Sequence, residues 1–382
     1  MKIVASPDSF KGSLSARELC KAIQIGVQRV YADAEVVKMP LADGGEGTVE
    51  NMVYSTGGVL CTVTVSDPLG RPVNATYGVM GDGETVVIEM AQASGLPLLF
   101  IDERDPLNAS SYGTGEMILH ALDRGGRRFI IGLGGSATND GGVGMLNALG
   151  VKFLNEEEHE LASGGAALVN LMAIDDTDID PRLQECTFTV ASDVTNRLCG
   201  EDGASAIFGP QKGASPEMVR LLDEALNHFA EVVTEHRGID MRKVAGSGAA
   251  GGMGGALIAF LDARIRPGID VVMEAVQFRE TIRGADLIIT GEGRLDAQTL
   301  SGKVISGVSR IARSESVPVI AVCGDKKLNA GQMDELGIVS AFPIVSGPCS
   351  LEESLDRTGD LVADAVEQLV RLLGITVNWK SK

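Results

Sequence analysis

The fold is decided near the start of the chain by the stretch KIVASPDSFKGSLSARELCKAIQIGVQRV (2–30). Lys2 to Ala5 is a short apolar run that predicts a buried strand, and PDSFKGS (7–13) is a polar loop. From Leu14 to Val30 the apolar residues recur at helical spacing. This β-loop-α unit indicates an α/β protein in which helices connect parallel strands.

The same alternation continues along the chain and returns near its other end. A second strand is predicted at 35–39, and ADGGEGT (42–48) leads into a second helix. The later segments, in order, are a strand at 286–290, the loop GEGRLDAQTLSGK (291–303), a helix at 304–313, strands at 317–323 and 338–345, and a helix at 351–373. Residues 65 to 285 are richer in glycine and break the simple alternation, which an inserted second domain would explain.

Length and charge restrict the class of protein. The chain has 382 residues, 48 of them glycine, so it is long enough for two domains with sizeable cores. Its 52 acidic and 33 basic residues give a formal net charge of −19, which repels nucleic-acid phosphates and anionic lipid surfaces. We therefore expect no nucleic-acid partner and no membrane partner. A phosphorylated ligand would need local cations, backbone N–H donors or a bound metal ion.

The cysteines and the apolar runs predict a cytoplasmic protein. The six cysteines form no CxxC pair, so they indicate neither a zinc site nor a thioredoxin-like motif, and they fit reduced thiols. The apolar run at the N-terminus is too short for a signal peptide. No apolar run approaches the roughly 18 residues of a membrane span.

Seven polar loops, six of them containing glycine, are the candidate functional segments, because ligands of open α/β sheets bind at the carboxyl ends of strands. Acids and cations stand beside their glycines, which suits phosphoryl transfer: a carboxylate holds a metal, a cation neutralises the moving phosphoryl group, and another carboxylate accepts the hydroxyl proton. The charged residues are Asp8, Lys11, Asp43, Glu46, Asp193, Arg294 and Asp296. The loops are PDSFKGS (7–13), ADGGEGT (42–48), GGSATNDGG (134–142), SDVTN (192–196), GPQKG (209–213), GAAGGMGG (248–255) and TGEGRLD (290–296).

Two other classes of function stay open at this point. GAAGGMGG, with Asp270 downstream, loosely resembles the dinucleotide fingerprint of an NAD-type dehydrogenase, but its spacing is not GxGxxG and no convincing strand precedes it. A non-catalytic sugar-acid sensor should lack catalytic acids, whereas Asp43 and Asp193 are present. The acidic run DDTDID (175–180) lacks the turn glycine and final glutamate of a calcium loop, so we expect a solvated loop.

Seven motifs in the same order resemble the bacterial glycerate kinase family of the 2-phosphoglycerate-forming type. They are PDSFKGSLSA, ADGGEGT, GGSATNDGG, SDVTN, FGPQKGAS, GAAGGMGGAL and TGEGRLDAQTLSGK. The resemblance implies phosphorylation of D-glycerate by ATP to 2-phospho-D-glycerate and ADP. It also implies two α/β domains, a Rossmann-like parallel-sheet domain of residues 1–64 and 286–382 interrupted by a larger glycine-rich domain of residues 65–285. The site would lie in the cleft between them.

The chemistry of phosphoryl transfer suggests roles for particular residues of these motifs. Lys11 is the candidate for stabilising the transferred phosphoryl group or binding the glycerate carboxylate. Asp43 and Asp193 are the candidates for Mg²⁺ ligand and general base, in either assignment. Substrate-binding candidates are Asp8, Ser9, Arg294 and Asp296, with Glu292 beside them, and nucleotide-binding candidates are Gly134, Gly135, Ser136, Thr138, Asn139, Gly251 and Gly252.

Overall fold

The structure, a computed structural model, describes residues 1–45, 47–301 and 304–379. Its strands are β1 Lys2–Ala5, β2 Glu35–Lys38, β3 Val59–Ser66, β4 Pro72–Val79, β5 Thr85–Glu89, β6 Arg128–Gly132, β7 Lys152–Leu154, β8 Ala173–Asp175, β9 Thr187–Ala191, β10 Arg264–Arg266, β11 Leu287–Leu295, β12 Val319–Lys326 and β13 Ser340–Pro343. Its α-helices are α1 Ala16–Gln28, α2 Thr48–Thr56, α3 Ala91–Ser94, α4 Tyr112–Asp123, α5 Val143–Ala148, α6 Ala204–Phe208, α7 Pro216–Arg237, α8 Met253–Leu261, α9 Gly268–Ala275, α10 Phe278–Ile282, α11 Val304–Ser314, α12 Ala330–Leu336, α13 Leu351–Asp356 and α14 Thr358–Trp379.

The chain forms two compact units, and one of them is built from both ends of the chain. We call Met1–Asp43 together with the residues from Val272 onward the terminal unit, and Gly44–Val271 the central unit. These limits differ from the expected domain boundaries at 64/65 and 285/286. Strand β3 belongs to the central unit because it pairs along its whole length with β4. Residues just before β11 belong to the terminal unit, where the Lys2 ammonium donates to the Thr281 carbonyl at 2.7 Å.

The terminal unit contains a five-stranded parallel sheet in the order β13-β12-β11-β1-β2. Strands β1 and β11 are neighbours at its centre, with Ile3 in register with Leu287. From β1 the chain proceeds to β2 on one side, and from β11 it proceeds to β12 on the other, so the strand order reverses between them. In doubly wound sheets a ligand crevice opens at this reversal, outside the carboxyl ends of the two strands.

Helix α1 shows how the sequence produces the terminal unit. Ser15 begins the helix with a capping box, since its hydroxyl accepts from the Glu18 N–H at 3.3 Å and the Glu18 carboxylate accepts from the Ser15 N–H at 3.0 Å. The apolar face of α1, including Ile23, joins the same buried cluster as Val366 of α14. Gly26 permits this packing, because a Cβ there would lie 2.5 Å from the Ala363 carbonyl oxygen.

The central unit contains a six-stranded mixed sheet in the order β10-β9-β6-β5-β4-β3 and a small β7–β8 pair. Strands β5, β6, β9 and β10 are parallel, whereas β3 and β4 join antiparallel. Phe129 and Phe188 stack at 4.9 Å between ring centroids on β6 and β9. Gly132 at the end of β6 is in register with Ala191 at the end of β9. The loops after these strands therefore begin side by side.

The structure corrects two details of the predicted pattern. Residues 291–295, expected in a loop, continue β11, and Arg294 is in register with Asp325 of β12. Gly291 makes the pairing possible, since a Cβ there would lie 2.4 Å from the Val322 carbonyl oxygen. The single helix expected at 351–373 is two helices, α13 and α14, separated at Arg357. Among the described helices, none is both long and apolar enough to cross a membrane.

Candidate active site

The loop after β1 is fixed to β11 by its backbone. The Ser6 N–H donates to the Ile289 carbonyl and the Asp8 N–H to the Gly291 carbonyl, each at 2.8 Å. Gly293 of β11 passes beneath the loop, since a Cβ at Gly293 would lie 3.8 Å from the backbone nitrogen of Lys11. The loop therefore starts at the reversal of the strand order with its first residues held in place.

Asp8, Lys11 and Asp43 form a charged group in the terminal unit. Burial raises the pKa of the Asp8 carboxyl to about 6. A hydrogen bond from the Ser9 N–H works to lower this pKa, but burial outweighs it. The negative charge of Asp43 raises this pKa further, and the positive charge of Lys11 lowers it. Lys11 is exposed, while Asp8, Ser9 and Asp43 are half-buried. Two carboxylates and one ammonium thus interact beside the carboxyl end of β1.

The predicted residues from β11 onward already have partners in the terminal unit. The Glu292 carboxylate is buried and accepts a hydrogen bond from the Thr299 hydroxyl. The exposed Arg294 guanidinium pairs with the Asp325 carboxylate at 3.2 Å. Asp296 Oδ1 accepts from the Gln298 N–H at 2.9 Å. Three other members of the predicted loops, Glu46, Gly302 and Lys303, lie outside the described residues.

The loop after β6 presents its first two glycines to solvent. Gly134 and Gly135 are exposed, and Gly135 has the left-handed φ of +74°. The loop is held at its sides, where the Leu96 N–H donates to the Gly135 carbonyl at 2.8 Å and the Ala137 N–H to the Ser94 carbonyl at 2.9 Å. Within the described part of the chain, no backbone carbonyl accepts from the Gly134 or Gly135 N–H. These two donors suit an anionic ligand.

The other predicted nucleotide-binding residues lie beneath this loop. Thr138 and Asn139 are fully buried and Ser136 nearly so. A Cβ at Gly251 would lie 2.2 Å from the Thr138 carbonyl oxygen, and one at Gly252 would lie 2.8 Å from the Gly141 Cα. The two later glycines therefore allow one backbone segment to pass directly under another.

Two buried charges that sequence analysis did not single out also lie beneath the loop. The Asp140 carboxylate accepts from the Ser111 N–H at 2.8 Å and the Ser111 hydroxyl at 2.7 Å. It also accepts from two backbone N–H groups within its own segment. The Lys212 ammonium donates to the Thr138 carbonyl at 2.6 Å. Burial lowers the pKa of Lys212 to about 7, although the charge of Asp140 works to raise it. Lys212 belongs to the GPQKG loop, but no feature of that motif signals burial.

Asp193 follows β9 in the central unit, whereas Asp43 belongs to the terminal unit. Asp193 is exposed, and its Oδ1 accepts from the Gly268 N–H at 3.1 Å. Gly268 is the first residue of α9, so Asp193 contributes to the start of that helix. This contact with Gly268 does not test a catalytic role for Asp193, and that role stays a prediction.

Two further sequence interpretations find their place in the structure. The glycines of 248–255 follow a helical turn at Met241–Lys243 and lead into α8, which is not the strand-turn-helix of a dinucleotide fingerprint. The acidic run at 175–180 is paired with cations, including Asp176 with Arg237 at 2.7 Å. Among the residues that the structure describes, no group of three or more acidic, histidine or cysteine side chains is arranged to hold a metal ion.

Comparison with known proteins gives matches over nearly the whole chain. The model of the glycerate kinase family matches residues 3–374. A glycerate kinase of Haemophilus influenzae is 48% identical over 373 residues, covering 98% of this chain and 99% of the relative. A glycerate 2-kinase of Escherichia coli K12 is 47% identical over 375 residues, covering 98% of each chain. A crystal structure of a candidate glycerate kinase 2 from Salmonella typhimurium LT2 superposes with a TM-score of 0.91 at 47% identity, covering 99% of each chain.

Proposed function

This chain belongs to the glycerate kinase family, and from that premise we propose that it is a glycerate 2-kinase, which converts D-glycerate and ATP to 2-phospho-D-glycerate and ADP. The observation that carries the proposal is the match to glycerate kinases along nearly the whole chain. The position of the Asp8–Lys11 loop at the reversal of the strand order supports it, because that is where ligands of doubly wound sheets bind. As an ATP-consuming enzyme it would work in the cytoplasm.

In this reaction the 2-hydroxyl oxygen of glycerate forms a bond to the γ-phosphorus of ATP. The bond from that phosphorus to the β,γ-bridging oxygen breaks, and ADP leaves with the electron pair. The hydroxyl proton passes to a carboxylate, for which Asp43 and Asp193 are the candidates. Each is at least partly accessible to a ligand, since Asp43 is half-buried and Asp193 exposed.

The loop after β1 supplies the charged side chains for glycerate. Lys11 is exposed and not ion-paired within the described residues, so it is available to neutralise the transferred phosphoryl group or the glycerate carboxylate. Asp8 and Ser9 bind the substrate hydroxyls. Arg294 and Asp296 remain substrate-binding candidates, although each already has a partner in the terminal unit.

The residues present fit a magnesium ion that is carried mainly by ATP. Mg²⁺ keeps several waters and takes one or two carboxylates together with substrate phosphates, so it needs no cage of protein ligands. Asp43 is a hard oxygen donor close enough to Asp8 to affect its pKa, and Asp193 is exposed. Either Asp43 or Asp193 would hold the ion, which would supply neutralisation of the phosphate charge, and the other would be left to accept the proton.

The loop after β6 supplies the nucleotide side. Gly134 and Gly135 offer exposed backbone N–H groups that have no backbone acceptor among the described residues, and glycines allow phosphate oxygens to approach closely. The scaffold of this loop in the nucleotide site consists of Ser136, Thr138 and Asn139, with Gly251 and Gly252 beneath them.

The test is to incubate the purified chain with D-glycerate, ATP and Mg²⁺ and to identify the product by ³¹P NMR. We expect ADP and 2-phosphoglycerate in equal amounts, and no turnover after chelation of the metal. A parallel reaction with NAD⁺ in place of ATP should give no absorbance change at the nicotinamide band. Formation of the 3-phosphate would contradict the 2-kinase assignment, and absence of ADP would contradict kinase activity altogether.

A further inference from the structure

Lys212 is a buried charge that the proposed reaction does not use. Its side chain is 1% exposed, and burying an ammonium group is costly unless it is hydrogen-bonded and paired. Asp140 is the charged group that faces it, but the Asp140 carboxylate is already held by four hydrogen bonds from Ser111 and its own segment. The hydrogen bond that the ammonium makes is to the Thr138 carbonyl.

Thr138 lies in the middle of the loop whose exposed glycines were assigned to the nucleotide. On the buried side of the loop, the Lys212 ammonium donates to the Thr138 carbonyl at 2.6 Å. The Gly141 N–H donates to the Gly251 carbonyl at 3.0 Å. Thr138 Oγ1 and Asn139 Oδ1 are buried and have no hydrogen-bond partner within 1–45, 47–301 and 304–379. The Asn139 side chain does hold the segment at one point, since its Nδ2 donates to the Ser205 Oγ at 3.0 Å. Lys212 adds a restraint at the neighbouring Thr138 carbonyl, which neither of these two side chains supplies.

We propose that Lys212 is a positioning residue for the nucleotide, which fixes the loop at Thr138 so that the Gly134 and Gly135 N–H groups stay in place to receive the triphosphate. The inference rests on the proposed function for the identity of the ligand. Lys212 does not touch the nucleotide, because its ammonium lies under the loop and out of solvent. Its removal should therefore affect ATP binding more than glycerate binding or the chemical step.

Lys212→Met is the main variant, because methionine keeps the length of the side chain and removes both the charge and the donor. Methionine also removes the donor to the buried Thr138 carbonyl and the positive charge beside Asp140, so we expect the Tm to fall, and binding is measured at a temperature at which the variant is fully folded. Misplacement of a binding loop by about 1 Å can cost up to about 10²-fold. We expect the Kd and KM for ATP to rise about tenfold, with the KM for glycerate within about twofold of wild type.

Lys212→Gln separates the hydrogen bond from the charge, because the amide can still donate to a carbonyl. We expect its ATP affinity to lie between those of wild type and Lys212→Met. Ser309→Ala is the control, since it removes a fully buried hydroxyl without a hydrogen-bond partner from α11 in the terminal unit. It should leave both KM values unchanged.

The Kd of ATP with Mg²⁺ is measured by calorimetric titration, independently of turnover. Wild-type protein that binds ATP without phosphorylating glycerate would refute the proposed function, while the effect of Lys212 on the Kd would still decide the inference. An unchanged Kd in Lys212→Met overturns the inference, as does a rise confined to the KM for glycerate. A uniform loss of Tm and of every kinetic parameter would make Lys212 a structural residue only. If Lys212→Met does not fold, Lys212→Gln is judged by the same criteria.

Discussion

The loop after β1 in the terminal unit and the loop after β6 in the central unit both follow a parallel strand, yet they offer ligands different groups. The first presents side chains: Lys11 is exposed, and Asp8 and Asp43 are half-buried. The second presents the backbone of Gly134 and Gly135 and buries its polar residues, with Lys212 underneath. Side chains can transfer protons, whereas fixed backbone N–H groups bind and stabilise negative charge. The comparison teaches that, on the proposed function, chemistry and nucleotide binding would belong to different loops.

The largest effect should come from breaking the scaffold of the second loop. Gly251→Ala places a Cβ 2.2 Å from the Thr138 carbonyl oxygen at a residue with a φ of +66°. We expect a loss of about 4 kcal/mol in the free energy of unfolding, measured with denaturant, because backbone must move and a left-handed alanine is strained. Gly238→Ala, with a φ of +74° and open space around the Cβ, is the control and should cost about 1 kcal/mol. Equal losses in the two variants would contradict the close packing beneath the loop.

The next effect concerns the candidate catalytic acids. Asp43→Asn and Asp193→Asn should each reduce kcat by about 10²-fold or more, because an amide neither accepts the proton nor binds Mg²⁺ as a carboxylate does. Asparagine keeps the acceptor that contacts the Gly268 N–H, so the Tm should be unchanged in Asp193→Asn. The control is Asp175→Asn, whose carboxylate accepts from Thr177 in the acidic run. Control-like kcat values in both variants would remove these residues from the site.

The fold was predictable where local sequence and final structure agree. Strand β1 has the predicted bounds, and the apolar spacing of 14–30 gave the helix that the structure limits to Ala16–Gln28. The extension of β11 to Leu295 was not predictable, because glycines at 291 and 293 indicate a turn and only pairing with β12 makes them a strand. The mixed sheet of the central unit depends on long-range pairing in the same way.

The candidate site was predictable to the extent that its chemistry shows in residue type. Asp8, Lys11 and Asp43 were identified as charges beside glycines, and the structure places them near enough to interact. Lys212 and Asp140 were missed because a buried lysine and a surface lysine look identical in sequence. Thr138 and Asn139 were expected to face the nucleotide, but their burial depends on packing by Gly251 and Lys212, far along the chain.

A third, smaller effect should be a pH-dependent gain in stability on replacing Asp8, measured without metal or substrate. The pKa of Asp8 is about 6 in the folded chain and 3.8 ordinarily, so ionisation opposes folding. The free-energy cost of ionising Asp8 in the folded chain is absent below about pH 3.8, grows as the pH rises and is complete above about pH 6. Asp8→Asn should therefore stabilise the protein by roughly 2–3 kcal/mol near pH 8 and change little near pH 4, while reducing activity.

Replacing Asp82 in the central unit should have the opposite effect on the stability of the folded chain. Burial works to raise its pKa, but hydrogen bonds from Thr85 and Glu84 outweigh burial and lower the pKa to about 2. Its ionised form thus stabilises the folded chain, and this contribution is lost as the pH falls through 3.8 towards 2. Asp82→Asn should lower the Tm near pH 8. Parallel pH profiles for the two variants would contradict the contrast between these carboxylates.

The smallest effect should follow from Arg294→Ala. Its ion pair with Asp325 is solvent-exposed, so the free energy of unfolding should change by less than about 1 kcal/mol. If Arg294 binds the glycerate carboxylate, the KM for glycerate should rise about fivefold, equivalent to about 1 kcal/mol. Asp325→Ala breaks the same pair and leaves the guanidinium, so it should not raise this KM. A similar rise in both variants would show that the ion pair, and not contact with glycerate, is responsible.

The pairing of Ile3 with Leu287 sets an order in which the protein can be assembled during synthesis. All of Gly44–Val271 is synthesised before the first residue of β11 exists, so the earlier strands of the central unit can pair while β1 still lacks that neighbour. The N-terminal strand must then wait for more than two hundred residues of translation, which at roughly 5–20 residues per second means at least ten seconds or so. The loop after β1, with Asp8 and Lys11, is thus synthesised before the central unit but held to β11 only after it.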